Sequence, residues 1–244
     1  MNKRALIITG ANGLLGNSWV NYFKDRFDVY AIDLSFNESC FTDNEINWIV
    51  GDITKVDFWL LLKNTLIDRG IFLHGIVNAA AITNNTRSKA LSSYDNFIDT
   101  LAVNVGGPFN SIEVFMTTFR EQGFGRIVNI GSLYSIVSPT PRLYEDSEVL
   151  QTPGYTASKH GLIGLTKFYA SQLIVSNITV NNLSPGGVFD NQDSNFYTKY
   201  IAQNPAKRMA SPEDFIPCLE FLLSEDNSYT TGQNIAVDGG WTII

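Results

Sequence analysis

The chain predicts an α/β fold: a single domain over residues 1–244 in which a seven-stranded parallel sheet carries helices on both faces. Three observations lead there. Short apolar runs alternate with longer amphipathic stretches, no segment has linker-like composition or internal repetition, and the first apolar run ends in a glycine-rich turn that opens a helix. With 244 residues, 44% of them hydrophobic and 12% aromatic, the chain has enough material for one substantial core, and disorder is excluded.

The elements follow in order. Ala5–Thr9 is the first expected strand, and the amphipathic stretch Leu14–Arg26 follows its glycine turn as a helix. Strands near Val29–Asp33 and Trp48–Val50 precede a helix over Val56–Asp68. A strand near Gly75–Asn78 leads to a long helix over Tyr94–Glu121, and Arg126–Ile130 to a helix over Tyr155–Val175. Ile178–Leu183 is the sixth strand. Ser211-Pro212-Glu213-Asp214 is a good N-terminal signal for a helix over Glu213–Leu223, and Asn234–Val237 is the seventh strand. Two loops, Tyr134–Gly154 and the stretch from Pro185 to about Arg208, are longer than such units need, and long ordered loops usually carry function.

Seventeen basic against 24 acidic residues give a net charge of −7, and no cluster of Lys or Arg offers a phosphate backbone a surface, so nucleic acid is not expected as a partner. No apolar run reaches the roughly 20 residues that cross a bilayer. Met1–Gly10 meets a glycine turn too early for a signal peptide, so a cytoplasmic location is expected. Cys40 and Cys218 read as free thiols, and His74 and His160 are too few and too far apart for a metal site. Charged residues make up 17% of the chain, where about 25% is usual, so part of the surface is expected to be covered by another copy of the chain.

Gly10-Ala11-Asn12-Gly13-Leu14-Leu15-Gly16 stands between a strand and a helix, the context in which glycines let backbone amides approach a pyrophosphate at the positive end of a helix. Asp33 closes the second strand, 23 residues after Gly10. There a carboxylate can accept from adenosine ribose hydroxyls and repels a 2′-phosphate. No Arg or Lys follows it closely, so the expected cofactor is NAD(H) rather than NADP(H). Tyr155 and Lys159 stand four apart on one helix face, where an ammonium would favour the phenolate and tune the tyrosine for proton transfer.

These residues resemble the short-chain dehydrogenase/reductase family, specifically its shorter, single-domain, Rossmann-like branch. The matches run the length of the chain in the family's order: Thr9-Gly10 to Gly16, Asp52-Ile53, Asn78-Ala79-Ala80-Ala81, Asn104, Gly131-Ser132, Tyr155 with Lys159, and Pro185-Gly186. The resemblance implies a tetrad of Asn104, Ser132, Tyr155 and Lys159. Tyr155 would be the general acid/base, and Ser132 would bind the substrate oxygen. Lys159 would hold the nicotinamide ribose, and Asn104 a helix backbone and a proton-passing water. Cofactor contacts are implied at Gly10, Asn12, Gly13, Leu15, Gly16, Asp33, Asp52, Ile53, Asn78, Ala79, Ala80, Pro185, Gly186 and Val188, besides Tyr155 and Lys159. A homodimer or homotetramer is implied as well.

Three departures stand out. The Gly10, Gly13, Gly16 spacing is more typical of the family's longer branch, Asp190 replaces a common threonine, and Ser132 and Tyr155 lie 23 residues apart, an unusually wide gap. The extra segment must emerge beside the substrate. It makes Tyr134, Arg142 and Tyr144 substrate candidates, with Arg142 for a phosphate or carboxylate, and the other long loop adds Asn191 and Gln192. The loop motifs are similar to a bacterial subgroup tied to surface-sugar and flagellin modification. The expected activity is therefore NAD(H)-dependent oxidation or reduction of a secondary alcohol or ketone on a sugar, sugar phosphate or nucleotide sugar. A non-catalytic NAD sensor, and a sugar epimerase or dehydratase that recycles its NAD, remain as alternatives.

Overall fold

The computed structural model describes residues 3–37, 40, 43–83, 94–147, 149 and 151–244. Its strands are β1 (Ala5–Thr9), β2 (Asp28–Asp33), β3 (Ile46–Val50), β4 (Leu73–Asn78), β5 (Gly125–Ile130), β6 (Ile178–Pro185) and β7 (Asn234–Val237). They form one sheet in the order β3-β2-β1-β4-β5-β6-β7, and every neighbouring pair is parallel, with Ile7 opposite Tyr30 on one side and Ile76 on the other. Strand order reverses at β1 and β4. In open parallel sheets the crevice beyond the carboxyl ends of the strands at this point is where ligands bind.

Helices cover both faces because the strands are apolar on both. Ala5 and Ile7 pack with α2 (Val56–Asp68), α4 (Gly107–Gln122) and α6 (Pro153–Leu173), through Trp59, Phe115, Phe119 and Tyr169. Leu6 and Ile8 pack on the other face with α1 (Leu14–Phe23) and α8 (Ile216–Leu223), through Trp19, Phe23, Leu219 and Leu222. This is the period of two in a strand buried twice. No described helix is long and apolar enough to cross a membrane.

The structure departs from the sequence reading in three places. The long helix expected over Tyr94–Glu121 is interrupted: α3 (Tyr94–Leu101) passes into a wide π turn at Ala102–Gly106 before α4 begins. Pro108 has no amide to return to the carbonyl four residues back, so the regular ladder cannot run through Asn104. The first long loop contains a short helix, α5 (Pro141–Tyr144). The second contains a full helix, α7 (Ser194–Gln203), whose N-terminus Asp193 caps by accepting the Phe196 amide at 2.9 Å.

Candidate active site

The glycine turn is built for close approach. Gly10 has φ +69°, and a side chain there would meet the Ala80 backbone at 2.7 Å; one on Gly16 would lie 2.1 Å from the Gly10 carbonyl oxygen. Thr9 Oγ1 accepts the amides of Ala79 and Ala80, both at 3.1 Å, and so ties the ends of β1 and β4 together at the switch point. Asp33 Oδ2 accepts the Asn12 amide at 2.9 Å and Oδ1 the Leu34 amide at 2.7 Å. Each carboxylate oxygen keeps lone-pair capacity for a further donor.

A cavity of about 510 Å³ opens from this turn. Gly10, Gly13, Leu15, Gly16, Ala79, Pro185, Gly186 and Val188 line it, together with Ser132, Tyr155 and Lys159. Ser132 precedes a tight turn at Leu133–Ser135, and its Oγ accepts the Tyr134 amide at 3.1 Å. Its hydroxyl also pairs with the Tyr155 phenol. Thr152 caps α6 and so fixes the first turn, from which Tyr155 projects.

The electrostatics differ from the expectation. Burial raises the Tyr155 phenol above its ordinary value, and the Ser132 hydrogen bond opposes this in part. Lys159 is buried, its Nζ donates to the Ile130 carbonyl at 2.7 Å, and it lies 5.5 Å from the Tyr155 ring centroid. Desolvation pushes it down to about 8. In the protein alone, burial rather than the ammonium dominates the tyrosine.

Asn104 is buried in the π turn and does not line the cavity. Its Oδ1 accepts the Ile82 amide at 2.7 Å, while Nδ2 donates to the Ile82 carbonyl at 3.2 Å and to Ser158 Oγ at 2.9 Å. Ser158 in turn donates to the Tyr155 carbonyl at 2.7 Å. Asn104 therefore braces the loop after β4 against the turn that carries Tyr155; it is a positioning residue.

Several residues singled out in the sequence do not line the cavity, and their contacts brace its frame. Asn78 is buried between Asn129 (2.9 Å) and Ser111 (3.0 Å). Asp52 accepts the amide and hydroxyl of Thr54, at 2.9 and 2.7 Å, closing the turn before α2. Ile53 is a core residue packed on Gly107, and Ala80 presents its backbone to Gly10. Asn12 and Asp33 meet each other outside the cavity wall.

The two long segments meet at the far end of the cavity, where Leu143 of α5, Phe196 and Tyr200 of α7, Leu133, Tyr134, Met209 and Trp241 form a separate apolar cluster. Tyr134 and Tyr144 line the cavity, and their hydroxyls are hydrogen-bonded to each other. Burial pushes Tyr134 up to about 12 and Tyr144 further. Gln192 also lines the cavity, but its amide is committed to the Val188 carbonyl (2.7 Å) and the Asp190 amide (2.9 Å). Two substrate candidates lie away from the cavity wall. Arg142 is exposed on α5 and Asn191 is exposed in a left-handed turn at φ 52°, and neither lines the cavity. Gln151, which the sequence reading passed over, does line it and is hydrogen-bonded to Tyr144. Its position just before α6 was the available signal.

A phenol, a hydroxyl and a buried ammonium gathered on a glycine-edged crevice at the switch point of a parallel sheet define an α/β oxidoreductase. A family profile described as enoyl-(acyl carrier protein) reductase matches residues 36–242. The 3-oxoacyl-[acyl-carrier-protein] reductase of Buchnera aphidicola subsp. Schizaphis graminum is 31% identical over 250 residues, 98% of this chain and 98% of that protein. The post-translational flagellin modification protein A of Campylobacter coli is 33% identical over 150 residues, 62% of this chain and 59% of that protein's length. A short-chain dehydrogenase from Leptospira borgpetersenii serovar Hardjo-bovis, solved with bound NAD+, superposes with a TM-score of 0.89 at 29% identity, covering 99% of this chain and 94% of that one. The chain belongs to the short-chain dehydrogenase/reductase family, oxidoreductases that act on CH–OH groups.

Proposed function

We propose that this protein is an NAD(H)-dependent oxidoreductase that moves a hydride between the nicotinamide and a secondary alcohol or its ketone, on a sugar or sugar-derived substrate. The observation that carries the reading is that Ser132, Tyr155 and Lys159 share one cavity with the Gly10–Gly16 turn. The turn fits a dinucleotide. Side chains at Gly10 or Gly16 would collide with backbone, and α1 begins at Leu14 with its free amides beside the cavity. Asp33, with acceptor capacity to spare, supports NAD(H) over NADP(H).

When bound, the nicotinamide supplies or receives the hydride. The protein's own residues handle the proton and the charge. During reduction Tyr155 Oη gives its proton to the carbonyl oxygen, and Ser132 Oγ donates a hydrogen bond to the same oxygen as charge develops there. In oxidation Tyr155 takes the proton back. Lys159 would hold the nicotinamide ribose, and Asn104 keeps the Tyr155 turn in place through Ser158.

The tyrosine hydroxyls, Gln151 and Asp190 on the cavity wall support a hydroxyl-bearing substrate. Similarity to the Campylobacter flagellin-modification protein supports a setting in surface-glycan or flagellin modification. A homodimer or homotetramer in the cytoplasm belongs to the same reading, and light scattering and cell fractionation test those parts. The glycine spacing favours one rival, an epimerase or dehydratase that recycles its hydride, which predicts cofactor surviving purification and no net NADH. Absorbance at 340 nm with NAD and a panel of sugars and their derivatives tests the proposal, with Tyr155→Phe as the control.

A further inference from the structure

Beside the Ser132–Tyr155 pair, three residues of the cavity wall form a chain of neutral hydrogen-bonding groups. The Tyr134 amide donates to Ser132 Oγ at 3.1 Å, the Tyr134 hydroxyl meets that of Tyr144, and the Tyr144 hydroxyl is bonded to the Gln151 side chain. Burial raises both phenols, so both stay protonated at physiological pH. A phenol and a primary amide each donate and accept. A carboxylate or phosphate only accepts and is matched by guanidinium or ammonium donors, whereas a hydroxyl, which does both, is matched by groups of this kind. Among the described residues the charged groups on the wall are Lys159, whose ammonium gives one donor to the Ile130 carbonyl and is assigned above to the cofactor ribose, and Asp190, which an anion would avoid.

The chain is held rigidly. The Tyr144 ring packs on Phe196 of α7 with centroids 5.6 Å apart. The segment after α5 is pinned to α7, with Ser147 Oγ donating to Asp193 Oδ2 at 2.7 Å and Asn195 Nδ2 to the Asp146 carbonyl at 2.8 Å. A site whose polar groups are fixed in advance discriminates strongly against a ligand that leaves them unpaired.

We propose that Tyr144, flanked by Tyr134 and Gln151, is a specificity-determining residue that binds a second oxygen of the substrate, a hydroxyl or carbonyl near the reacting carbinol. The substrate is then a polyol or hydroxyketone and not a simple secondary alcohol. This inference rests on the oxidoreductase reading above.

The test uses matched pairs that differ only in that oxygen: cyclohexanol against cyclohexane-1,2-diol and cyclohexane-1,3-diol, assayed by NADH formation with NAD. The diols are expected to show at least about tenfold higher kcat/KM than cyclohexanol. In Tyr144→Phe, which keeps the ring against Phe196, and in Gln151→Met, that advantage shrinks to about twofold or less, since the polar partner that discriminates is gone. NADH titration checks that each variant folds. Equal rates for the diols and cyclohexanol, an unchanged preference in Tyr144→Phe, or no turnover of any member by protein that binds NADH and is active on another alcohol, would each overturn the subsite. Protein that binds no NADH, or that oxidises no alcohol, overturns the underlying reading instead.

Discussion

Asp33 accepts the Asn12 amide at 2.9 Å, so the carboxylate that ends β2 is fastened to the glycine turn that ends β1. The two features the sequence reading assigns to one dinucleotide are thus a single unit, and a change at Asp33 acts on both. Asp33→Ala removes the proposed ribose acceptor and frees the Asn12 amide. NAD(H) affinity should fall about tenfold, one charge-assisted hydrogen bond's worth, and the gap to NADP(H) should narrow. Fluorescence titration of NADH and NADPH checks this; an unaltered preference removes Asp33 from the site.

The glycine turn makes a graded prediction. A methyl group at Gly16 would sit 2.1 Å from the Gly10 carbonyl oxygen, whereas at Gly13 the same atom is 3.2 Å away. Overpacking against backbone costs about 1–3 kcal/mol, so Gly16→Ala should lower the urea midpoint and NADH affinity clearly more than Gly13→Ala. Equal effects would mean that the turn is not packed as described.

His74 predicts how the fold responds to acid. It is buried between Phe27 and Phe124, with ring centroids 4.7 and 5.0 Å away; Nε2 bonds the Leu223 carbonyl at 2.7 Å, and Nδ1 has no hydrogen-bond partner among the described residues. Burial holds its pKa below the ordinary value against the Leu223 hydrogen bond, with Arg4 and Arg126 adding to the burial and Glu225 opposing it. Below about pH 6.5 the unfolded chain takes up a proton that the folded one resists, so stability is lost by up to about 1.4 kcal/mol per pH unit until the folded pKa is reached. His74→Gln should flatten that slope between pH 7 and 5.5 in urea titrations; parallel curves for the two proteins would contradict the assignment.

The sheet and the glycine turn were legible because they rest on local patterns: runs such as Ala5–Thr9 are apolar on both faces, and Gly10 and Gly16 tolerate no side chain. The π turn was not legible, because the apolar spacing of Tyr94–Glu121 runs on through it and only Gly106-Gly107-Pro108 marks the break. Helix α7 carried a readable signal in Asp193 and the four-residue spacing of Phe196 and Tyr200, obscured by the polar residues around them. At the site, Tyr155 and Lys159 could be paired by helical spacing. The Tyr134–Tyr144–Gln151 chain could not, because it depends on where the segment between Ser132 and Tyr155 folds back, and the same fold carries Arg142 away from the cavity wall.

The central claim is that Tyr155 exchanges the proton while the cofactor moves the hydride. The direct measurement is NADH formation at 340 nm by the wild-type protein and Tyr155→Phe, on whichever sugar or polyol the wild type oxidises, together with NADH titration of both proteins. The account predicts that the phenylalanine variant loses at least about a thousandfold in kcat, within the range of general acid–base catalysis, and binds NADH within about twofold of wild type, since cofactor binding rests chiefly on other groups. Substantial turnover by Tyr155→Phe, with NADH still bound, would contradict it.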